Sequence, residues 1–224
     1  TNRFLNIEYL YREIRSLGVD LSQDQLKNIL LKSQKNIDDG VQIANNLDRF
    51  PLSFGQERLW FVDQFQGQNS AEYNEPSIIE ISNSISIDKL ENAFNDIIHK
   101  NSVLRTFYPE DEHGVYQKIS MEYKALSVVK CEFCMALEEI KSLKDLPFDL
   151  KARPPFYVKI YSLTDRNVTL IFVNQHHILT DAKSWVLILE ELYSRVAKNK
   201  DSYESDESLV QYRDYSVWQR KKVE

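Results

Sequence analysis

Apolar residues recur at helical spacing in some stretches of the chain and alternate with polar ones in others. Phe4, Ile7, Leu10, Ile14 and Leu17 share one face of a helix predicted over residues 3–17, with Gly18 as its stop. Ser22 and Gln25 have the spacing of a capping box and open a second predicted helix over residues 22–34. The periodicity then lapses through VQIANNLDRFPLS, which reads as a linker. The reading divides the chain into a helical segment over residues 1–45 and a domain over residues 46–224.

The domain opens with a short helix, QERLWFVDQF, over residues 56–65. Residues 77–82 have strand character. Leu90, Phe94, Ile97 and Ile98 form the core side of an amphipathic helix over residues 87–100. Residues 103–108 and 115–119 read as strands flanking the turn-rich stretch PEDEHG. A strand over 125–131 and a helix over 135–144 follow. Residues 157–163 and 168–175 form two strands around a TDRN turn. Helices over 184–197 and 212–222 flank the polar loop NKDSYESDE. Strands and helices alternate with hairpins mixed in, which predicts an α/β or α+β domain with a mixed sheet rather than a doubly wound parallel one.

The composition narrows the function. Hydrophobic residues make up 42% of the 224 residues, enough for a substantial core. A net charge of −6 without a basic stripe argues against a nucleic-acid partner. No apolar run approaches a membrane span and nothing reads as a signal peptide, so a cytoplasmic, soluble protein without a membrane partner is expected. The five glycines are scattered, with no phosphate-binding loop among them. Cys131 and Cys134 lack a second ligand pair, and Glu132 and Phe133 between them suit a redox motif poorly, so they read as ordinary thiols and no metal is expected.

The chemistry concentrates in NQHHILTDAKSW, residues 174–185. Two of the four histidines stand side by side at the end of an apolar run. Side chains alternate across a strand, so His176 and His177 should point in opposite directions, one inward and one toward a cleft. Imidazole suits proton transfer near neutrality, but from these residues alone a structural role for the pair stands slightly ahead. Asp181 precedes a helix, and its simplest role is an N-cap for Lys183 or Ser184. No G-x-S-x-G elbow supports a hydrolase triad.

HHILTDA, residues 176–182, resembles the HHxxxDG motif of the condensation domains of nonribosomal peptide synthetases. Four more segments are similar to that family's motifs in order. They are SFGQERLWFVDQF (53–65), KNSVLRTFY (100–108, against RHExLRTxF), LPFDLKARPPFYVKIY (146–161) and YRDYSVWQR (212–220, against YxDYAxWQ). The resemblance covers residues 50–222 and implies the first lobe of a two-lobed fold related to chloramphenicol acetyltransferase, the second lobe lying outside this chain. It implies amide formation between an acyl or peptidyl thioester and an aminoacyl thioester. Upstream and downstream carrier proteins would deliver these on 4′-phosphopantetheine arms, with no cofactor bound directly.

By motif position, His177 would act on the attacking amine or the tetrahedral intermediate, with His176 and Asp181 in support. Asp181 would pair with Arg105, and Ala182 and Ser184 would line the substrate channel. Lys100 stands where the family motif begins with arginine, and Ala182 stands where it has glycine. If Ala182 is the first helical residue, the methyl costs nothing; if it needs positive φ, the loop is strained by roughly 1 kcal/mol. The SFGQERLW motif with Tyr73 and Asn74 resembles the subtype that joins an L-configured donor to an L-configured acceptor. Residues 1–45 would be a linker or a docking element for an upstream part of a synthetase. The resemblance leaves two alternatives: a silent module that docks carriers, and a carrier-independent acyltransferase of the same superfamily.

Overall fold

The computed structural model describes residues 40–44, 49–67, 70–198 and 210–223. The helices expected over 3–17 and 22–34 and the polar loop at 199–207 lie outside them. The chain divides into two units, Thr1–Val41 and Gln42–Glu224, and every element named below belongs to the second.

Helix α1 (Phe54–Phe65) starts where Ser53 and Gln56 form a capping box. The Ser53 hydroxyl accepts from the Gln56 N–H at 3.2 Å, and the Gln56 side chain accepts from the Ser53 N–H at 3.0 Å. Strand β1 (Ser77–Ser82) and helix α2 (Ile87–Lys100) follow as the alternation and the amphipathic pattern predict.

Residues 103–108 depart from the expectation. Ser102–Arg105 form a 3-10 turn, and only Thr106–Phe107 (β2) are strand. The burial of this stretch still alternates, with Ser102, Leu104, Thr106 and Tyr108 inward, which is why it reads as a strand. Two local bonds favour the turn. The Thr106 hydroxyl donates to the Ser102 carbonyl at 2.8 Å, and the Leu104 N–H donates to the Asn101 carbonyl at 3.0 Å.

PEDEHG makes the hairpin of β3 (Glu110–Asp111) and β4 (Gly114–Val115), with Gly114 at φ 96°, a conformation that favours glycine. Strand β5 (Lys118–Ile119) pairs with β2. The expected single strand over 115–119 is thus two short pieces serving different partners.

The main sheet has the order β1-β8-β7-β6, with β6 (Leu126–Cys131), β7 (Phe156–Leu163) and β8 (Val168–Gln175). Strands β1, β8 and β7 pair antiparallel, whereas β6 pairs parallel to β7, joined to it by helix α3 (Phe133–Leu143). The sheet is therefore mixed. Alternate residues of β7 and β8 serve two cores. Val158, Ile160, Ile171 and Val173 pack with α2 and with helix α4 (Ala182–Lys198) through Phe94, Ile97, Ile188 and Leu192. Tyr161, Leu163, Leu170 and Phe172 pack with Ala136 and Ile140 of α3. Covered on both faces, β8 is buried along almost its whole length, in keeping with its largely apolar sequence.

Helix α5 (Tyr212–Val223) returns to the start of the domain. Tyr212 Oη lies 2.9 Å from Ser53 Oγ, Gln219 accepts from the Phe54 N–H at 2.9 Å, and Arg220 Nε donates to the Leu52 carbonyl at 2.8 Å. The buried carboxylate of Asp214 takes the N–H groups of Gln211 at 2.7 Å and Ala44 at 3.0 Å.

Candidate functional site

The end of β8 carries the histidines. The pairing of β8 continues past its last residue. The Glu75 N–H donates to the Gln175 carbonyl at 2.7 Å, Asn74 bridges His176, and the His177 N–H donates to the Tyr73 carbonyl at 2.8 Å. Extended backbone up to this point turns the two rings to opposite sides. The His176 side chain is buried, 1% exposed, with its ring 6.0 Å from that of Tyr73. Its Nδ1 accepts from the Ile178 N–H at 3.1 Å and so shapes the turn over residues 177–179. Burial, and to a lesser degree the neighbouring His177, pushes its pKa down to about 4, so the ring is neutral and keeps the lone pair that the turn needs.

His177 faces the other way, with 40% of its side chain exposed. It lines a cavity of about 390 Å³ together with Gln56, Asp181, Ser184, Glu191 and Tyr212, among others. Its Nδ1 lies 2.8 Å from Glu75 Oε1 but has no hydrogen-bond partner in line with an N–H. The two atoms are close and the contact is skewed.

Asp181 caps α4. One carboxylate oxygen accepts from both the N–H and the hydroxyl of Ser184, each at 2.7 Å. These bonds hold its pKa below the usual carboxylate range. Asp181 therefore takes the N-cap role, and the expected ion pair with Arg105 is not made. Arg105 lies just past the end of α2, where the last carbonyls lack helical partners. Its guanidinium donates to Ile98 at 3.1 Å, His99 at 3.0 Å and, across the turn, Ser120 at 3.2 Å. Burial and then the Arg213 charge lower its pKa.

Ala182 is the first residue of α4. It is exposed and lies outside the cavity wall, whereas Ser184 is on that wall. Of the two residues expected at the substrate channel, Ser184 thus stands on the cavity wall and Ala182 does not. Lys100 pairs with Glu191 of the cavity wall at 2.9 Å.

A buried polar cluster backs the cavity, and the sequence pattern does not announce it. Gln56 Nε2 donates to Tyr108 Oη at 3.0 Å and to Gln117 Oε1 at 3.3 Å. The Tyr108 hydroxyl reaches the Ile178 carbonyl at 3.4 Å, inside the HHILTDA turn. Gln117 Nε2 donates to the Pro51 carbonyl at 2.8 Å and to Ser216 Oγ at 3.0 Å. The S-x-x-Q spacing of residues 53–56 is the available signal for Gln56; Glu75 has no comparable one. Four of the motif-like segments therefore meet around one cavity: residues 53–65, 100–108, 176–182 and 212–220.

The mixed sheet thus ends in a histidine turn, with a cavity under the following helix, in an α/β domain. The condensation domain family model matches residues 46–224, and the chain belongs to that family. The chain is 29% identical over 229 residues to the nonribosomal peptide synthetase dtxS1 of Metarhizium robertsii, a match covering 94% of this chain and 3% of that protein. It is 30% identical over 188 residues to gramicidin S synthase 2 of Brevibacillus brevis, covering 80% of this chain and 4% of that protein. This chain thus spans a small fraction of either relative's length.

Among solved structures, the X-domain from teicoplanin biosynthesis superposes with a TM-score of 0.68 at 19% identity, over 82% of this chain and 40% of that one. The starter condensation domain of rhizomide synthetase gives 0.66 at 18% identity, over 78% and 44%. These likenesses carry the fold.

Proposed function

We propose that this domain takes part in amide-bond formation between two carrier-borne thioesters, with His177 acting at the attacking amine. The observation that carries the reading is the partly exposed His177 ring on the wall of the 390 Å³ cavity, in a chain of the condensation family. The amine nitrogen attacks the thioester carbonyl carbon, the C–N bond forms and the C–S bond breaks. The proton shed by the amine passes to the imidazole and from there to the departing thiolate. Phosphopantetheine arms of an upstream and a downstream carrier protein supply both substrates. His176 and Asp181 act through structure, the first shaping the turn and the second starting α4. Ser184 borders the path of the substrate.

The position of Ala182 at the head of a helix supports a working site, because no positive φ is asked of it. The SFGQERLW segment and the Tyr73–Asn74 pair favour an L-configured donor and acceptor. Residues 1–45 serve as a docking element or linker to the preceding part of a synthetase, and the reaction belongs to the cytoplasm. Among the described residues, no helix is long and apolar enough to cross a membrane.

The test is a condensation assay with the domain placed in a complete synthetase module. Donor and acceptor carriers are loaded and dipeptidyl product is followed by mass spectrometry. Wild type is expected to condense and His177→Ala to lose product by about a hundredfold or more. Equal product from both would sink the reading.

A further inference from the structure

The motif aspartate does not hold the catalytic candidate in place; a different carboxylate stands against it. From the geometry we infer that Glu75 is a positioning residue for His177, fixing its proton on Nδ1 and leaving Nε2 bare toward the cavity. The inference rests on the proposed role of His177.

Backbone pairing sets the arrangement. Glu75 and His177 lie on the paired continuations of β1 and β8, tied by the Glu75–Gln175 and His177–Tyr73 backbone bonds. Asn74, between them, is anchored by its side-chain amide to the Leu146 carbonyl at 2.9 Å. These ties bring Glu75 Oε1 to 2.8 Å from Nδ1, while Gln175 Nε2 lies 3.5 Å from the other carboxylate oxygen. Nδ1 is buried, and the carboxylate is the acceptor beside it.

At that distance the carboxylate charge repels the partial negative charge of a bare ring nitrogen. A proton on Nδ1 turns that repulsion into attraction, even with the contact skewed. Because Nδ1 is buried, the exposed part of the ring is its remaining edge, which includes Nε2. The two carboxylates on the cavity wall are engaged elsewhere and do not compete, Asp181 by Ser184 and Glu191 by Lys100. A base that must accept an amine proton needs its lone pair on the exposed nitrogen, and Glu75 selects that tautomer.

The test reads the tautomer directly. The 224-residue chain is labelled with nitrogen-15 in its histidine rings, and the His177 signals are assigned by their loss in His177→Gln. Wild type at neutral pH is expected to show a protonated Nδ1 and a bare Nε2. Glu75→Ala is expected to show a mixture with protonated Nε2, and Glu75→Gln, whose amide oxygen still accepts, to restore the wild-type pattern. A retained signal from the buried His176 ring shows that each variant is folded.

In the condensation assay, Glu75→Ala should lower kcat by about tenfold to a hundredfold with little change in KM, and Glu75→Gln should recover most of it. A protonated Nε2 in wild type overturns the inference, as does a pattern that Glu75→Ala leaves unchanged. A tautomer shift without loss of kcat overturns the positioning role. A tautomer that responds to Glu75, in a domain that gives no product within the complete module, upholds the contact and overturns the peptide-bond reading instead.

Discussion

Within the HHILTDA turn, neighbouring residues have opposite tasks. His176 is a buried acceptor and His177 a partly exposed ring on a cavity wall. The His176 pKa is pushed down from the ordinary histidine value of 6.5 to about 4, so the unfolded chain takes up its proton first as the pH falls. The contribution to stability is complete above about pH 6.5. It then declines by up to ~1.4 kcal/mol per pH unit until the folded pKa is reached. We expect His176→Asn, whose side-chain oxygen can still accept the Ile178 N–H, to flatten this decline. Urea midpoints at about pH 7 and about pH 5 measure it; an equal slope in both proteins would refute the assignment.

Ala182→Gly should leave condensation unchanged. It should destabilise the domain by less than the roughly 0.5–1 kcal/mol of a glycine inside a helix, since residue 182 is only the first helical position. A marked gain in product from Ala182→Gly would mean that the methyl obstructs the substrate. The opposed directions of the histidines were legible from strand alternation, and the Asp181 cap from its place before a helix. The Glu75 contact was not, because it depends on which strand pairs beyond the end of β8.

The helices that the sequence announces most clearly, α2 and α4, are amphipathic and pack against one face of a sheet whose strands alternate or run apolar as expected. The 3-10 turn at Ser102–Arg105 was illegible because its burial repeats every second residue, as a strand's does. What decides the geometry there is hydrogen bonding, from the Thr106 hydroxyl locally and from Arg105 to the end of α2. The polar cluster of Gln56, Tyr108 and Gln117 joins α1 to the histidine turn and to α5. Gln56→Leu is expected to cost roughly 1–3 kcal/mol for the buried groups left unpaired. Tyr108→Phe, which removes only one hydroxyl from the same cluster, should cost less. Chemical denaturation of both variants checks the order, and the reverse order would show that Tyr108 is the anchor of the cluster.

Across the whole domain, the motif-like segments lie far apart in sequence and meet at one end of the sheet. That convergence was implied by the resemblance and by nothing in the periodicity, since amphipathic pattern reports which face is buried and not which distant segment covers it. The two separate cores, one on each face of the sheet, likewise emerge only from the strand order β1-β8-β7-β6. Helix α5 makes the longest connections, closing onto Ala44, Leu52, Ser53 and Phe54 across 159 to 170 residues of chain.

That closure has a consequence in time. Contacts between such distant segments form slowly, because the intervening chain must first give up its freedom. The β7–β8 hairpin needs only a short turn, so it can form while α5 is still on the ribosome. The wall of the cavity made by α1 and Tyr212 has to wait until residue 220 has been synthesised. Pulse-labelled hydrogen exchange during refolding should find the amides of β7 and β8 protected before those of α1 and α5. Simultaneous protection would mean that the domain assembles in a single step, with its cavity no later than its sheet.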